Sequence, residues 1–200
     1  MNAAVKKIVL ASGSKARRAL LEQAGLSFEV RPASIDEKSI IADLQKKIPA
    51  AEIALELARR KAAAISEDDP LAFVIGCDQI LTCGGKLYQK AASAEELAID
   101  LRALRGQKHQ LISAVCVVEA GNTFWSHADI ASLTMKKFDN AFIDSYIKAA
   151  GNGILNTVGG YELEGLGPWL FEKIEGDYFT ILGLPLVQLL SFLQTQGYGP

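Results

Sequence analysis

Ser12, Ser14 and Arg17 lie close together in a stretch whose residue types suit an anion. An apolar strand leads into a turn around Gly13, and a helix that opens with cations follows. Backbone N–H groups at a helix start are unpaired and carry the positive end of the helix dipole. Two hydroxyl donors, a glycine that permits close approach and a guanidinium that binds oxygens bidentately add to the attraction. This stretch therefore predicts an anion site.

An ordinary helix start is the alternative interpretation, with Ser14 as the cap and the neighbouring cations solvated. Cations in a first turn oppose the helix dipole, however, and a purely structural start more often carries Asp or Glu. This mismatch favours the anion site, and the cap stays open as the alternative.

Asp78 is the single residue best suited to a catalytic or metal-binding role. It follows the buried strand predicted at residues 72–76, so we expect it at the carboxyl end of that strand, where open α/β sheets place ligands. A turn-forming Asp at a strand end is an equally good interpretation of the local sequence. As a functional group, Asp78 could deprotonate water or hold a divalent metal ion on a phosphate.

Four other charged side chains are weaker candidates. Glu37 belongs to an acidic pair that could add a carboxylate to a metal site, although a solvated loop pair is the simpler interpretation. Lys61 and Lys90 are expected to be surface lysines, but Lys90 follows a glycine turn that could place its ammonium in a cleft. Glu164 lies in the glycine-framed loop 159–167, which is either a simple turn or a loop that approaches a ligand closely.

Composition is typical of a soluble globular chain, since half of the 200 residues are hydrophobic and the net charge is −2. The near-neutral balance argues against a general nucleic-acid binder, but not against a small anionic ligand. Cys77, Cys83 and Cys116 lack metal-ligand spacing and predict reduced, buried thiols. No apolar run reaches membrane-spanning length, and residues 1–7 lack the apolar region of a signal peptide, so we expect a cytoplasmic protein.

Apolar patterning predicts the elements that must position these side chains. After a first strand near residue 8, the predicted strands are residues 28–31, 72–76, 109–119, 123–136 and 169–173. After a first helix that ends at residue 23, the predicted helices are residues 51–65, 93–104, 139–149 and 184–193. Strands and helices mix without strict alternation, and no Pro-, Gly- or Ser-rich linker divides the chain. We therefore expect an α/β or α+β fold with a mixed, curved sheet in a single domain, residues 1–200.

Three segments, in order along nearly the whole chain, resemble the Maf family. They are residues 10–21 (LASGSKARRALL), residues 74–79 (VIGCDQ) and a set near the C-terminus made of residues 164–167, 174–177 and 183–185. Each segment is a weak signal alone, but the combination is specific. Maf proteins are nucleoside triphosphate pyrophosphatases that were once described as septum-formation inhibitors.

The resemblance implies an α/β fold with an elongated mixed sheet flanked by helices, with two lobes around a deep central cleft, similar to the inosine triphosphate pyrophosphatases. It implies hydrolysis of a nucleoside triphosphate between the α- and β-phosphates, assisted by a divalent cation, Mg²⁺ or Mn²⁺. The products would be the nucleoside monophosphate and pyrophosphate. The expected partner is the nucleotide substrate, with no nucleic acid and no membrane, and a homodimer is compatible with the sequence.

Matching positions imply the roles of individual residues. Asp78 matches the general base, and Glu37 matches an acidic position that would hold the metal ion together with Asp78. Polar and cationic phosphate-site positions are matched by Ser12, Ser14, Arg17, Lys61 and Lys90. These roles agree with the chemistry, because positioned cations stabilise the charge of a triphosphate while a carboxylate orients or deprotonates water.

Ala16, Gln79 and Glu164 match positions that vary with substrate in the family. Members that act on dTTP and UTP usually carry Arg, Thr and Gln there, whereas Gln79 and Glu164 follow the subgroup resembling 7-methyl-GTP pyrophosphatase. A carboxylate accepts both N–H donors of a guanine edge, favours a cationic methylated base and repels pyrimidine carbonyls. We therefore expect 7-methyl-GTP or a related modified purine nucleotide as substrate. The alternatives are a dTTP/UTP pyrophosphatase and a non-catalytic nucleotide-binding regulator of cell division.

The chain departs from that subgroup at three places. Ala16 stands where a Trp is usual, so a stacking platform is missing, and Lys15 replaces a usual Pro. Asn156 and Thr157 replace a common Asp-Lys pair. These differences concern the choice of base rather than the type of reaction.

Overall fold

Within residues 6–199, which the computed structural model describes, seven strands form one mixed sheet with helices around it. The strands are β1 (Ile8–Leu10), β2 (Glu29–Val30), β3 (Phe73–Cys83), β4 (Lys86–Tyr88), β5 (Lys108–Glu119), β6 (Asn122–Met135) and β7 (Phe171–Glu175). The helices are α1 (Lys15–Gln23), α2 (Glu37–Leu44), α3 (Ala50–Ser66), α4 (Ala94–Leu104), α5 (Asn140–Ala150), α6 (Tyr178–Ile181) and α7 (Leu186–Thr195). Among the helices of residues 6–199, none combines the length and the apolar composition that a membrane span requires.

The strand order is β2-β1-β3-β5-β6-β7, and β4 pairs with β3 off this path. β1 runs parallel to both β2 and β3, whereas β4 is antiparallel to β3 and β7 is antiparallel to β6. All three residues of β1 are buried, as expected for a strand with parallel neighbours on both sides. The mixed sheet predicted from the patterning is confirmed, and so is the α/β fold that the resemblance implies.

The chain divides into two compact units. The first unit contains residues 6–78, 113–129 and 183–199, and the second contains residues 79–112 and 130–182. β3, β5 and β6 each contribute residues to both units.

The core of the first unit brings α3 against β3. The buried residues of α3, which recur at helical spacing, include Ile53, Leu57, Ala58, Lys61 and Ala62. The second unit has its own apolar core, to which α4 contributes Leu97, Leu101 and Leu104 and α5 contributes Ile143 and Tyr146.

Most of the predicted elements are confirmed to within a few residues, and four details are corrected. β3 does not end before Asp78 but continues to Cys83, because its far half pairs with β4. The turn between β5 and β6 has its positive φ angles at Ala120 and Gly121, whereas Asn122 already belongs to β6. Helices α2 and α6 were not predicted, and the last strand begins at Phe171 rather than at residue 169.

The cysteine prediction is confirmed in most respects. The three thiols are free, Cys77 and Cys116 are buried, and Cys83 is only partly buried. Burial raises the pKa of Cys77 to about 11, so this thiol stays protonated and unreactive at neutral pH.

Candidate active site

Three charged side chains of the first unit converge on one point. Lys61 Nζ lies 2.6 Å from Asp78 Oδ1 and 2.8 Å from Glu37 Oε1. Lys61 is 7% exposed and Asp78 is 5% exposed, whereas the Glu37 side chain is 43% exposed. The buried lysine therefore joins a buried carboxylate to one that reaches solvent.

The backbone of α3 and β3 explains why Lys61 can reach Asp78. Gly76 lies in β3 two residues before Asp78, and a Cβ atom built there would be 2.0 Å from the carbonyl oxygen of Ala58. The same Cβ would be 2.9 Å from the backbone nitrogen of Ala62. Only glycine permits this close helix–strand approach, which sets Lys61 on the buried face of α3 beside β3.

Asp78 lies in an environment that tunes its acidity. Burial raises the pKa of its carboxyl group, and the positive charges of Lys61 and Arg17 act against that rise. Burial disfavours the ionised carboxylate, while neighbouring cations favour it. A carboxylate with a raised pKa is a better proton acceptor than an ordinary surface Asp, as a general base requires.

The stretch with Ser12, Ser14 and Arg17 forms the predicted strand–turn–helix. Ser14 caps α1, since its hydroxyl accepts a hydrogen bond from the Arg17 backbone N–H at 3.4 Å. The hydroxyl of Ser12 accepts from the Ser14 backbone N–H at 3.3 Å. The capping interpretation of Ser14 is thus confirmed, and the start of α1 carries no acidic residue in its first turn.

Arg17 is fixed by the protein itself. Its Nε donates to the carbonyl of Gly183 at 2.8 Å, and its Nη1 donates to the carbonyl of Cys77 at 3.0 Å and to the Ser12 hydroxyl at 3.1 Å. These bonds place a guanidinium charge beside the residue that precedes Asp78. Because Nε is occupied by Gly183, a bidentate grip on phosphate through Nε would require this contact to break.

Two predictions about the local setting of these residues are wrong. Asp78 lies in the middle of β3, with five strand residues on each side, rather than at a strand end or in a turn. Its charge is tolerated inside the sheet because Lys61 pairs with it. Lys61, expected at the surface, is buried on α3, while Lys90 is exposed as expected.

The second unit contains two further predicted site residues, Gln79 and Glu164. The side-chain amide of Gln79 donates to the carbonyls of Thr180 (3.2 Å) and Ile181 (3.0 Å), so it is bound to α6. Glu164 is exposed in the loop between two short 3-10 turns, Asn152–Asn156 and Gly167–Leu170. Ala16, in α1 of the first unit, is partly buried.

Two carboxylates near Lys61 offer the oxygen donors that a hard divalent cation prefers. Among residues 6–199, no group of three or more His, Cys, Asp or Glu side chains is arranged to hold a metal ion. Glu37 and Asp78, however, direct carboxylate oxygens at the same ammonium. Mg²⁺ is commonly bound by one or two carboxylates together with substrate phosphates and water, so these two residues could hold it.

Sequence reasoning missed Gly76 and the buried pair of His109 and Tyr161. A glycine inside an apolar strand is a signal for close backbone approach and could have marked Gly76. His109 and Tyr161 lie 52 residues apart, and their hydrogen bond at 2.8 Å depends on tertiary packing that no local pattern contains.

Comparison with known proteins adds an independent finding. The model of the family described as Maf-like protein matches residues 7–196. A 7-methyl-GTP pyrophosphatase of Mesorhizobium japonicum is 47% identical over 193 residues, covering 96% of this chain and 97% of that protein. A nucleoside triphosphate pyrophosphatase of Nitrobacter hamburgensis is 45% identical over 192 residues, covering 96% and 95%. A HAM1 protein structure from Coxiella burnetii covers 66% of this chain and 74% of its own at 17% identity and a TM-score of 0.43.

Proposed function

Since this chain belongs to the Maf family, we propose that it hydrolyses a nucleoside triphosphate between the α- and β-phosphates. The products are a nucleoside monophosphate and pyrophosphate. The observation that carries the proposal is the buried Asp78 paired with Lys61, in a chain about as similar to a 7-methyl-GTP pyrophosphatase as to a nucleoside triphosphate pyrophosphatase.

Asp78 acts as the general base. Its carboxylate takes a proton from a water molecule as the water oxygen bonds to the α-phosphorus, and the bond from that phosphorus to the bridging oxygen breaks. Pyrophosphate leaves with the electron pair of that bond, and the proton stays on Asp78 until it is released to solvent. The raised pKa of Asp78 supports this role, because proton transfer to it is more favourable than to an ordinary Asp.

Lys61 favours the ionised form of Asp78 and supplies charge to the phosphates. An ammonium group has three N–H donors, of which the contacts to Asp78 and Glu37 use two. The third is available for a phosphate oxygen. The positive charge of Lys61 therefore acts on both the Asp78 carboxylate and the leaving pyrophosphate. Electrostatic stabilisation of this kind is the main contribution that a protein makes to phosphoryl transfer.

Glu37 and Asp78 would hold the divalent cation, Mg²⁺ or Mn²⁺. When bound, the cation would neutralise charge that develops on the phosphate oxygens. The contact between each carboxylate and Lys61 is compatible with this, since a carboxylate has two oxygens and about four lone-pair sites. We propose that Ser12, Ser14, Arg17 and Lys90 complete the phosphate contacts.

The substrate that we propose is 7-methyl-GTP or a related modified purine nucleotide. Glu164 supports this choice, because an exposed carboxylate only accepts hydrogen bonds and favours a cationic base. Gln79 and Ala16 are the other proposed specificity residues. A relative named 7-methyl-GTP pyrophosphatase is 47% identical to this chain and one named nucleoside triphosphate pyrophosphatase is 45% identical. The preferred base therefore has to be identified by experiment.

The proposed setting is the cytoplasm, with the free nucleotide as the partner. A net charge of −2 supports a small anionic ligand held by local cations rather than nucleic acid, which calls for a basic surface. Whether the chain forms a homodimer is tested by light scattering of the purified protein.

A substrate panel tests the proposal. Pyrophosphate release is measured with Mg²⁺ or Mn²⁺ on 7-methyl-GTP, GTP, dTTP and UTP, and we expect release, fastest from 7-methyl-GTP. A faster rate on dTTP and UTP would assign the pyrimidine activity instead. If the protein binds nucleotides but releases pyrophosphate from none of them, the assignment as an enzyme fails and a nucleotide-binding regulator takes its place.

A further inference from the structure

Tyr161 anchors the loop that carries Glu164. The loop runs from Gly159 to Gly167, and Tyr161 is its most deeply inserted large side chain, 5% exposed. Its hydroxyl lies 2.8 Å from Nε2 of His109 in β5, a residue with no exposed surface. Its ring also packs edge-on against Phe171 in β7, with ring centroids 4.8 Å apart. The loop is therefore fastened from the interior of the second unit.

His109 makes an unusual buried contact for a purely structural residue. Burial lowers the pKa of His109 to about 4, so the imidazole is neutral at pH 7. Its Nδ1 has no hydrogen-bond partner within residues 6–199, which leaves the Tyr161 hydroxyl as the polar partner of the ring. Burying a polar ring costs free energy unless it is hydrogen-bonded, and an apolar side chain would fill the same space at lower cost.

Tyr146 supplies a second anchor to the same loop. Its hydroxyl, buried on α5, donates to the carbonyl of Gly160 at 3.0 Å. Gly159 and Gly160 both have positive φ angles, 80° and 70°. A Cβ atom on Gly160 would lie 2.1 Å from a methyl group of Leu97, so the backbone itself is pressed against the core. The start of the loop 159–167 is therefore held in a fixed position at Gly160.

Glu164 stands on a closed turn that starts directly after Tyr161. The backbone N–H groups of Gly165 and Gly167 both donate to the carbonyl of Glu162, at 3.2 and 3.0 Å. A Cβ atom on Gly167 would lie 2.4 Å from that carbonyl, so the turn has little freedom. The exposed carboxylate of Glu164 is thus connected to the buried Tyr161 by a short, hydrogen-bonded backbone.

We infer that His109 and Tyr146 are positioning residues for base selection: through Tyr161 and Gly160 they fix the loop so that the Glu164 carboxylate meets the hydrogen-bonding edge of the nucleotide base. This inference rests on the proposed function, since it assigns no separate ligand. Neither residue touches the reacting phosphates. Both act on the ranking of substrates, which depends on the position of one carboxylate.

The test compares substrate ranking in five variants: Glu164→Gln, His109→Leu, His109→Gln, Tyr161→Phe and Tyr146→Phe. The readout is the ratio of kcat/KM for 7-methyl-GTP to kcat/KM for UTP, in which the concentration of folded enzyme cancels. We expect His109→Leu and Tyr161→Phe to lower this ratio by about threefold to tenfold, mainly through KM, as loss of one positioning hydrogen bond implies. His109→Gln, whose amide can replace Nε2, restores the ratio.

Ser66→Ala is the matched control. The Ser66 hydroxyl is buried in the first unit and accepts a hydrogen bond from the Gly121 backbone N–H at 3.1 Å, so its loss lowers stability without touching the loop. We expect its melting temperature to fall and its substrate ratio to stay as in the wild type.

Two results would overturn the inference, and they are distinguishable. If Glu164→Gln changes the ratio but Tyr161→Phe and Tyr146→Phe leave it within twofold of the wild type, the anchors are only structural and the proposed function stands. If Glu164→Gln itself leaves the ratio unchanged, Glu164 does not read the base, and the substrate proposal fails with the inference. Should His109→Leu fail to fold, the two Tyr→Phe variants, which each remove one oxygen, decide the question.

Discussion

Lys61 and Asp78 form a buried ion pair in which Nζ and Oδ1 are 2.6 Å apart. Removing one partner of such a pair costs about 3–5 kcal/mol, but replacing both by apolar residues is often neutral or stabilising. A protein that needed only stability would have little reason to bury these two charges at the crossing of α3 and β3. The pair therefore supports the proposed roles of Asp78 as the base and of Lys61 as a cation that favours its ionised form.

Asp78→Asn is expected to remove turnover and to leave nucleotide binding within a few-fold of the wild type. The amide keeps the shape but cannot accept the proton, and loss of a general base costs about 10²- to 10⁴-fold in rate. Pyrophosphate release and calorimetric titration measure the two properties. Asp68→Asn is the control, since it removes the same charge from an exposed loop residue. Activity within a few-fold of the wild type in Asp78→Asn would exclude Asp78 as the base.

The stability of the protein should depend on pH through Asp78. Burial raises its pKa in the folded protein above the ordinary value of 3.8, so the folded state binds this proton to higher pH than the unfolded chain does. Stability from this group is then present at low pH and is lost as pH rises above 3.8 through the folded pKa. Melting temperatures of wild type and Asp78→Asn are compared over that range. We expect the melting temperature of the variant to rise relative to that of the wild type as pH increases. A difference in melting temperature that stays constant with pH would contradict the raised pKa of Asp78.

Gly76→Ala should separate α3 from β3. The added methyl group would lie 2.0 Å from the Ala58 carbonyl oxygen, and overpacking of this kind costs about 1–3 kcal/mol or more. Because Lys61 depends on that approach to reach Asp78, we expect kcat to fall in the molecules that remain folded. Melting curves and single-turnover rates measure both effects.

Gly153→Ala is the control for this substitution, because a Cβ atom there meets nothing within 4 Å. Equal activity in the two variants would show that the position of α3 does not matter for catalysis.

Arg17→Lys is expected to impair stability and nucleotide binding almost as much as Arg17→Ala does. The guanidinium joins three acceptors, the carbonyls of Gly183 and Cys77 and the hydroxyl of Ser12, and an ammonium cannot span this fork. We predict a lower melting temperature together with a higher KM for the nucleotide. Arg18→Lys is the matched control, since Arg18 is exposed and pairs with Glu22 in α1. If Arg17→Lys kept a wild-type KM, the specific geometry of the guanidinium would have no part in phosphate binding.

The reactive residues could be identified from the sequence, but their burial and their pairing could not. Asp78 and the stretch with Ser12 and Arg17 were identifiable, because their residue types contrast with apolar neighbours. The burial of Lys61 was not, since a lysine on a helix is ordinarily solvated, whereas the close approach of α3 to β3 at Gly76 places this one inside. The far half of β3 escaped prediction for a related reason: an Asp in a strand is unfavourable until a partner from another element neutralises it.

The role of Gln79 also depended on tertiary structure. Its amide is bound to two carbonyl groups of α6, a helix of four residues too short to show a periodic pattern. A residue that the resemblance assigns to substrate choice thus has a structural task as well, and substitutions there will affect both.

The proposed function is tested most directly by pyrophosphate release from the wild type and Asp78→Asn, measured side by side on 7-methyl-GTP, GTP, dTTP and UTP with Mg²⁺. It predicts that the wild type releases one pyrophosphate per nucleoside monophosphate, fastest from 7-methyl-GTP, and that Asp78→Asn loses about 10²- to 10⁴-fold in rate. Release of single orthophosphates instead of pyrophosphate, or equal rates for the two proteins, would contradict it.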